Sequence, residues 1–258
     1  MAKAPATSLD RPVWVDLAAT DAAAEGNYYA RLFGWRVEVN PDPQYGGYGI
    51  ARLDDRDAAG IGPKQQPQTP SAWSLYIGTE DVDDLAKRVE AAGGKVIAPP
   101  FNVGDQGRMA VLQDPSGAFI SAWQGTRMGG FQTDAPNSFA WAELNARGVD
   151  RAIPFYTTVF GWTTRTSPMG EGQPGYTEFL LGGESIAGAW EMNPAVPPDV
   201  PSYWQVYFAV DDVDEAYRRA IELGGTEMLG PSDFPGGRFA IVADPEGAAF
   251  GLLRTTPR

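Results

Sequence analysis

The chain has 258 residues, 43% of them hydrophobic and 21% charged, which is enough apolar material to bury a sizeable core. It contains no histidine and no cysteine, so serine–histidine triads, cysteine nucleophiles, disulfides, ordinary zinc sites and two-histidine-one-carboxylate iron sites are all excluded. Twenty Lys+Arg against 33 Asp+Glu give a formal charge of −13, a surface that repels phosphate backbones and excludes nucleic acid and anionic membranes as expected partners.

Val13–Ala19 alternates as a strand does, and Asp21 is placed to cap a helix that runs through Tyr28 and Leu32 and stops at Gly34. Two or three short strands follow around the Asp54-Asp55 turn, at Tyr48–Leu53 and Ala58–Ile61. After the Pro/Gln-rich linker Pro63–Pro70 the order restarts. Ser74–Gly78 is a strand, Val82–Ala92 a helix stopped by Gly93-Gly94, and Lys95–Ala98, Met109–Gln113 and Phe119–Trp123 are strands. The last two are joined by the turn Asp114-Pro115-Ser116-Gly117. Each of these stretches reads as a βαβββ module. Several strands joined by tight turns after each helix favour a mixed sheet over a doubly wound parallel one.

The pattern then repeats. Trp14-Val15-Asp16-Leu17 recurs as Trp141-Ala142-Glu143-Leu144, and Phe33-Gly34-Trp35 as Phe160-Gly161-Trp162. Asp81-Val82-Asp83, Gly93-Gly94, Gly107-Arg108 and Asp114-Pro115-Ser116-Gly117 recur in order as Asp212-Val213-Asp214, Gly224-Gly225, Gly237-Arg238 and Asp244-Pro245-Glu246-Gly247. Ordered landmarks at nearly constant spacing mark a duplication. The expected domains are residues 11–125 and 138–255, each of two modules, joined by a Gly/Pro-bearing linker at 126–137. No dinucleotide-binding or phosphate-cradling glycine motif is present, and Gly46-Gly47, Gly93-Gly94 and Gly129-Gly130 read as turn or helix-stop glycines.

Four βαβββ modules with Asp-Val-Asp helix starts and Asp-Pro-x-Gly hairpins resemble the vicinal oxygen chelate superfamily, the group of glyoxalase I, extradiol dioxygenases and bleomycin-resistance proteins. The nearest likeness is to two-domain glyoxalase-like proteins of actinobacterial type. The resemblance implies an α+β fold in which pairs of modules form two open barrel-like cups of mixed sheet with flanking helices. It also implies metal-ligand positions, which fall here on Trp14, Ser74 and Ser121 in the first cup and on Trp141, Gln205 and Gly251 in the second. A further ligand position falls near Gly60–Gly62 and Gly188–Trp190. Indole has no lone pair to offer a metal, and Gln205 alone cannot hold one. The expectation is therefore a cup with no metal and no cofactor.

Strand alternation places Trp14 with Asp16, Ser74 with Tyr76 and Ser121 with Trp123 on shared faces in the first half; in the second it groups Trp141 with Glu143, Gln205 with Tyr207 and Gly251 with Leu253. Asp16 and Glu143 are candidate general bases, and Tyr76 and Tyr207 candidate oxyanion donors. Trp14, Ser74, Arg108, Ser121, Trp123, Trp141, Gln205 and Arg238 are candidate ligand-binding residues, the indoles as flat walls and the two arginines as positive groups at the rim. Trp123 narrows the first cup, which makes it the tighter aromatic site. Each residue also has a plain structural role open to it: core filling for the indoles, ion pairs of Asp16 and Glu143 with Arg108 and Arg238, and strand packing for the tyrosines. Asp81, Asp83, Asp212 and Asp214 read as helix caps and first-turn acids. The loops Tyr45–Tyr48 and Gly170–Tyr176 read as lids or turns.

The leading expectation is a protein that binds a small aromatic or conjugated molecule. One alternative is a metal-independent lyase or isomerase using a carboxylate base and a tyrosine donor. A second is a glyoxalase- or dioxygenase-type metalloenzyme with oxygen ligands only, and another is a degenerate scaffold for protein contacts. No stretch approaches the roughly 18 apolar residues of a membrane span, and the first residues lack the apolar core of a secretory signal. A cytoplasmic monomer, containing its own pseudo-dimer, or a homodimer is expected.

Overall fold

A computed structural model describes residues 9–126, 131–133, 135–169 and 175–256. The first module runs β1 (Pro12–Ala19), α1 (Ala22–Phe33), β2 (Arg36–Val39), β3 (Gly49–Leu53) and β4 (Arg56–Pro63). The second is β5 (Ala72–Gly78), α2 (Val82–Ala91), β6 (Lys95–Val103), β7 (Gly107–Gln113) and β8 (Phe119–Gly125). The third is β9 (Phe139–Ala146), α3 (Val149–Phe160), β10 (Thr163–Ser167), β11 (Tyr176–Leu181) and β12 (Glu184–Glu191). The fourth is β13 (Tyr203–Ala209), α4 (Val213–Glu222), β14 (Thr226–Phe234), β15 (Gly237–Ala243) and β16 (Ala249–Thr255). The fold is α+β, with four βαβββ modules as the sequence pattern predicts.

Two eight-stranded sheets carry the modules, in the orders β2-β3-β4-β1-β5-β8-β7-β6 and β10-β11-β12-β9-β13-β16-β15-β14. Both are open. Within each module the tight hairpins pair antiparallel, while the first strand pairs parallel with the last. The mixed character follows from the helix after each first strand, which carries the chain across before three strands run back and forth. The short edge strand β2, with mostly exposed side chains, was not singled out by the sequence pattern because it lacks an alternating apolar face.

The helix boundaries follow local chemistry. Asp21 accepts hydrogen bonds from the Ala23 and Ala24 amides at the start of α1, and Gly34 ends it in the left-handed conformation, its own amide bonded to the Ala30 carbonyl. Asp81 and Asp212 cap α2 and α4 in the same way. Helix α3 begins instead at Gly148, whose amide, with that of Val149, is bound by the Glu191 carboxylate from β12. No helix among the described residues is long and apolar enough to cross a membrane.

By packing, the chain gathers into two compact units, each drawing on both of its halves. Among the described residues, one comprises 9–13, 75–126, 141–169 and 175–204, and the other 14–74, 131–133, 135–140 and 205–256. The first unit is built around Tyr156, which is fully buried and stacked on Trp162, with Phe179 and Trp204 against it. Its hydroxyl accepts from Trp204 Nε1 at 2.8 Å and donates to Asp114 Oδ2 at 2.8 Å. The second unit repeats this around Tyr29: Trp73 Nε1 donates to the hydroxyl at 3.0 Å, and the hydroxyl donates to Asp244 Oδ2 at 2.9 Å. Asp114 and Asp244 are the first residues of the two Asp-Pro-x-Gly turns, so each turn is also anchored in an aromatic core. The turns were legible from sequence, but the buried phenol bonded to each was not.

Candidate functional site

In the second unit, Trp14 and Asp16 point to one face of β1 as the alternation predicts. The parallel pairing of β1 with β4 sets Asp16 opposite Gly60. Tyr48, immediately before β3, lays its ring across Gly60 and Gly62; a Cβ at Gly60 would run into its hydroxyl end, and one at Gly62 would lie 2.7 Å from Tyr48 Cδ2. The glycines are thus the room in which the ring lies. Trp14 Nε1 donates to the Tyr48 hydroxyl at 2.8 Å, and that hydroxyl donates to Asp16 Oδ2 at 3.2 Å. Trp14 is only 3% exposed, and the ring of Phe131 closes on it edge-on at 5.8 Å.

The first unit contains the same group. Glu143 on β9 lies opposite Gly188 on β12, and Tyr176 covers Gly188. Trp141 Nε1 donates to the Tyr176 hydroxyl at 2.9 Å, and that hydroxyl bonds the Glu143 carboxylate. Trp141 is half-buried, Trp190 packs at 6.2 Å from Tyr176, and Tyr203 lies close enough for the Glu143 charge to act on it. The indole–phenol–carboxylate relay is therefore duplicated, with the tyrosine–glycine spacing conserved between the copies: 60 − 48 and 188 − 176 are both 12.

Burial, reinforced by the neighbouring carboxylate, pushes the phenol of Tyr48 well above its usual range, and that of Tyr176 likewise. A phenol has one proton to donate, and here the carboxylate receives it. Neither tyrosine is free to serve as an acid near neutral pH. Each instead positions a carboxylate whose remaining lone pairs can accept from a ligand. The buried tyrosines Tyr29, Tyr48, Tyr156 and Tyr176 hold their protons above the ordinary value of about 10. Their contribution to stability is therefore complete below pH 10 and is lost as the pH rises beyond it. An absorbance titration of the native protein is expected to leave these four un-ionised at pH 11, where the urea-unfolded chain ionises all 10 tyrosines; full native ionisation at that pH would contradict the burial.

Sequence reasoning paired Asp16 with Tyr76 and Glu143 with Tyr207 as candidate base and donor; in the structure the Tyr48 hydroxyl donates to Asp16 Oδ2, and the Tyr176 hydroxyl lies against Glu143. Tyr76 lies in the first unit, buried, with Ser121 as its parallel partner across β8. Trp123 follows on the same strand, packed against Gly107, and its buried Nε1 has no hydrogen-bond partner. Tyr207 lies in the second unit with its ring over Gly251. Gln205 is buried there, its amide nitrogen donating to the Val206 carbonyl at 3.2 Å, and Ser74 is half-buried on β5. The arginines also have partners other than those expected. Arg108 grips Asp83 through both carboxylate oxygens at 2.9 Å and bonds Asn102, while Arg238 grips Asp214 and bonds Asp233. Asp83 and Asp214 are thus first-turn acids that also tie each helix to its sheet. Of the two loops, Tyr45–Tyr48 closes the 3-10 turn Pro43–Tyr45 and leads into β3; residues 170–174 of the other, the glycines Gly129-Gly130, and residues 127–130 and 134 of the linker lie outside the described residues.

A sequence profile of the Glyoxalase/Bleomycin resistance protein/Dioxygenase superfamily matches residues 11–121 and 138–252. The chain belongs to this superfamily. CFP32 of Mycobacterium tuberculosis, whose name gives it provisionally as a glyoxylase, is 38% identical over 253 residues, covering 96% of this chain and 95% of its own. The anthracycline biosynthesis protein DnrV of Streptomyces peucetius is 38% identical over 259 residues, covering 94% and 92%. Among solved structures, the Mn(II)-bound glyoxalase of Novosphingobium aromaticivorans superposes with a TM-score of 0.66 at 17% identity, covering 95% of this chain and 82% of that one. At that identity the likeness is one of fold.

Members of the superfamily place metal ligands in the cup, and the residues at those positions here do not fit a metal. Trp14 and Trp141 present N–H donors already bonded to tyrosine. Gly60, Gly188 and Gly251 have no side chain, and the space a longer side chain would take is filled by Tyr48, Tyr176 and Tyr207. Among the described residues, no group of three or more Asp or Glu is arranged to hold an ion.

Proposed function

We propose that this glyoxalase-superfamily protein binds an aromatic or conjugated small molecule at the Trp141–Tyr176–Glu143 group, without a metal ion. The observation that carries this reading is the contrast between the two copies. Where the indole is sealed, at Trp14, the group that seals it is a phenyl ring of the chain itself, Phe131. Trp141 is half-buried, so an external ring has indole surface to meet. The reading thus moves from the first copy, favoured by sequence, to the second. Glu143 adds an acceptor, so the ligand would carry a hydroxyl or other hydrogen-bond donor beside its ring. The names of two relatives support an aromatic ligand: both are anthracycline biosynthesis proteins, and anthracyclines are fused-ring aromatic compounds.

Titration with hydroxylated polycyclic aromatics, followed by tryptophan fluorescence and calorimetry, is expected to show one binding event per chain. Trp141→Ala is expected to weaken it about tenfold, the scale of a lost aromatic contact of about 1.5 kcal/mol. No binding across such a panel, or unchanged affinity in Trp141→Ala, would overturn the reading.

A second reading rests on Glu143 itself. A carboxylate held on one side by a phenol and set beside an indole is positioned to take a proton from a bound carbon or oxygen acid. Glu143→Gln separates the readings: if the group is catalytic, binding persists while turnover is lost; if it only binds, affinity falls and no turnover is found in either protein.

A further inference from the structure

Position 25 breaks the pseudo-symmetry of the two aromatic cores. Helices α1 and α3 superpose in sequence with Tyr29 matching Tyr156, which sets Glu25 at the place of Ala152, both offset by 127. Ala152 is an ordinary core alanine. Glu25 is a carboxylic acid 1% exposed, side by side with the equally buried Asp244. Tyr29, one helical turn after Glu25 on α1, donates to Asp244 Oδ2 at 2.9 Å, and the Asp244 charge acts on Glu25, so the two acids share one buried pocket. Two acids buried together cannot both ionise without strong repulsion, which a proton on one of them relieves.

We propose that Glu25 and Asp244 hold one proton between them in the core of the second unit, and that this proton is a pH latch on the packing of α1.

The hydrogen bonds decide which partner carries the proton. Asp244 accepts from the Tyr29 hydroxyl and from the Glu246 and Ala248 amides, three donors that favour its charged form. Glu25 has no such set, and its Oε2 is buried with no partner at all. A neutral carboxyl tolerates an unpartnered oxygen; an ionised one in that place does not. Burial acts most strongly on Glu25, followed by the charges of Asp244, Glu246 and Asp21, so every one of these influences favours the neutral form. Tyr28 and Tyr29, the phenols of the same helix beside the pair, are themselves held neutral by burial and by Asp244. Glu246 is satisfied elsewhere, binding the Thr20 and Asp21 amides and the Ser71 hydroxyl, so it supplies charge without supplying a donor.

The sign follows directly. In the fold Glu25 keeps its proton up to about pH 8, whereas the unfolded chain loses it near 4.5. The stabilisation is complete below pH 4.5 and is lost as the pH rises to about 8, because over that window folding requires uptake of one proton. One proton corresponds to a folding equilibrium constant that falls about tenfold per pH unit.

The test compares urea unfolding of the full chain with that of Glu25→Gln and Glu25→Ala from pH 5 to 8. Both variants are expected to remove about tenfold per unit from the pH dependence. Alanine is the residue the matching helix already carries, so Glu25→Ala keeps the test open if the glutamine variant fails to fold. Infrared difference spectra at neutral pH are expected to show a protonated carboxyl band that both variants lack. An unchanged pH slope in the variants, or an absence of that band in the parent protein, would overturn the proposal.

Discussion

Replacing Asp114 by alanine is expected to lower the free energy of unfolding by about 3–5 kcal/mol, because several buried donors lose their acceptor together. Asp114 Oδ1 accepts from the Ser116 amide at 2.7 Å and the Ala118 amide at 3.0 Å, while Oδ2 accepts from Tyr156 at 2.8 Å. The side chain therefore closes the turn and completes the polar relay inside the first unit. Leaving each donor buried and unpaired costs about 1–3 kcal/mol, and the losses overlap because the turn can relax toward water. Asp114→Asn keeps an oxygen for the two amides, so its cost is expected to be about 1–2 kcal/mol. Urea unfolding measures both, and equal losses in the two variants would show that charge, not the acceptor geometry, is what matters.

Gly188→Val is expected to cost about 1–3 kcal/mol and to abolish ligand binding at the Trp141 copy. Its Cβ would fall where the Tyr176 hydroxyl now lies and 3.1 Å from Trp141 Nε1. The tyrosine must swing away, which takes the phenol from Glu143 and leaves the indole N–H without its phenol acceptor. Calorimetric titration on the variant, with far-ultraviolet dichroism confirming that the sheets persist, checks both parts. Binding unchanged from the parent protein would mean that the Tyr176 relay does not shape the site.

The carboxylate half of each site was legible because Trp-x-Asp and Trp-x-Glu obey a local rule: in a strand, residues two apart share a face. The phenol half was not. Tyr48 reaches Asp16 only because β4 lies parallel to β1 in the register that sets Gly60 opposite Asp16. Alternation along one strand carries no information about that register. A signal was present all the same, since Tyr48–Gly60 and Tyr176–Gly188 recur at one spacing within the duplication. The ion pairs of the arginines were illegible for a related reason: Arg108 and Arg238 lie at strand starts, but the acids they meet, Asp83 and Asp214, sit in the first turns of helices.

Local spacing thus established the four βαβββ modules, the duplication, the helix caps and the absence of any histidine to serve at the superfamily's ligand positions. Those features depend on residues within a few positions of one another or on exact internal repetition, which a single chain displays in full. Which tyrosine meets which carboxylate, which indole is sealed by Phe131, and why Glu25 needs a proton where Ala152 does not were settled by packing. Each depends on atoms brought together from strands or turns distant in sequence; Glu25 and Asp244, at nearly opposite ends of the chain, are the extreme case. The sequence alone shows that no histidine stands at the superfamily's ligand positions; the structure shows tyrosine rings lying over Gly60, Gly188 and Gly251.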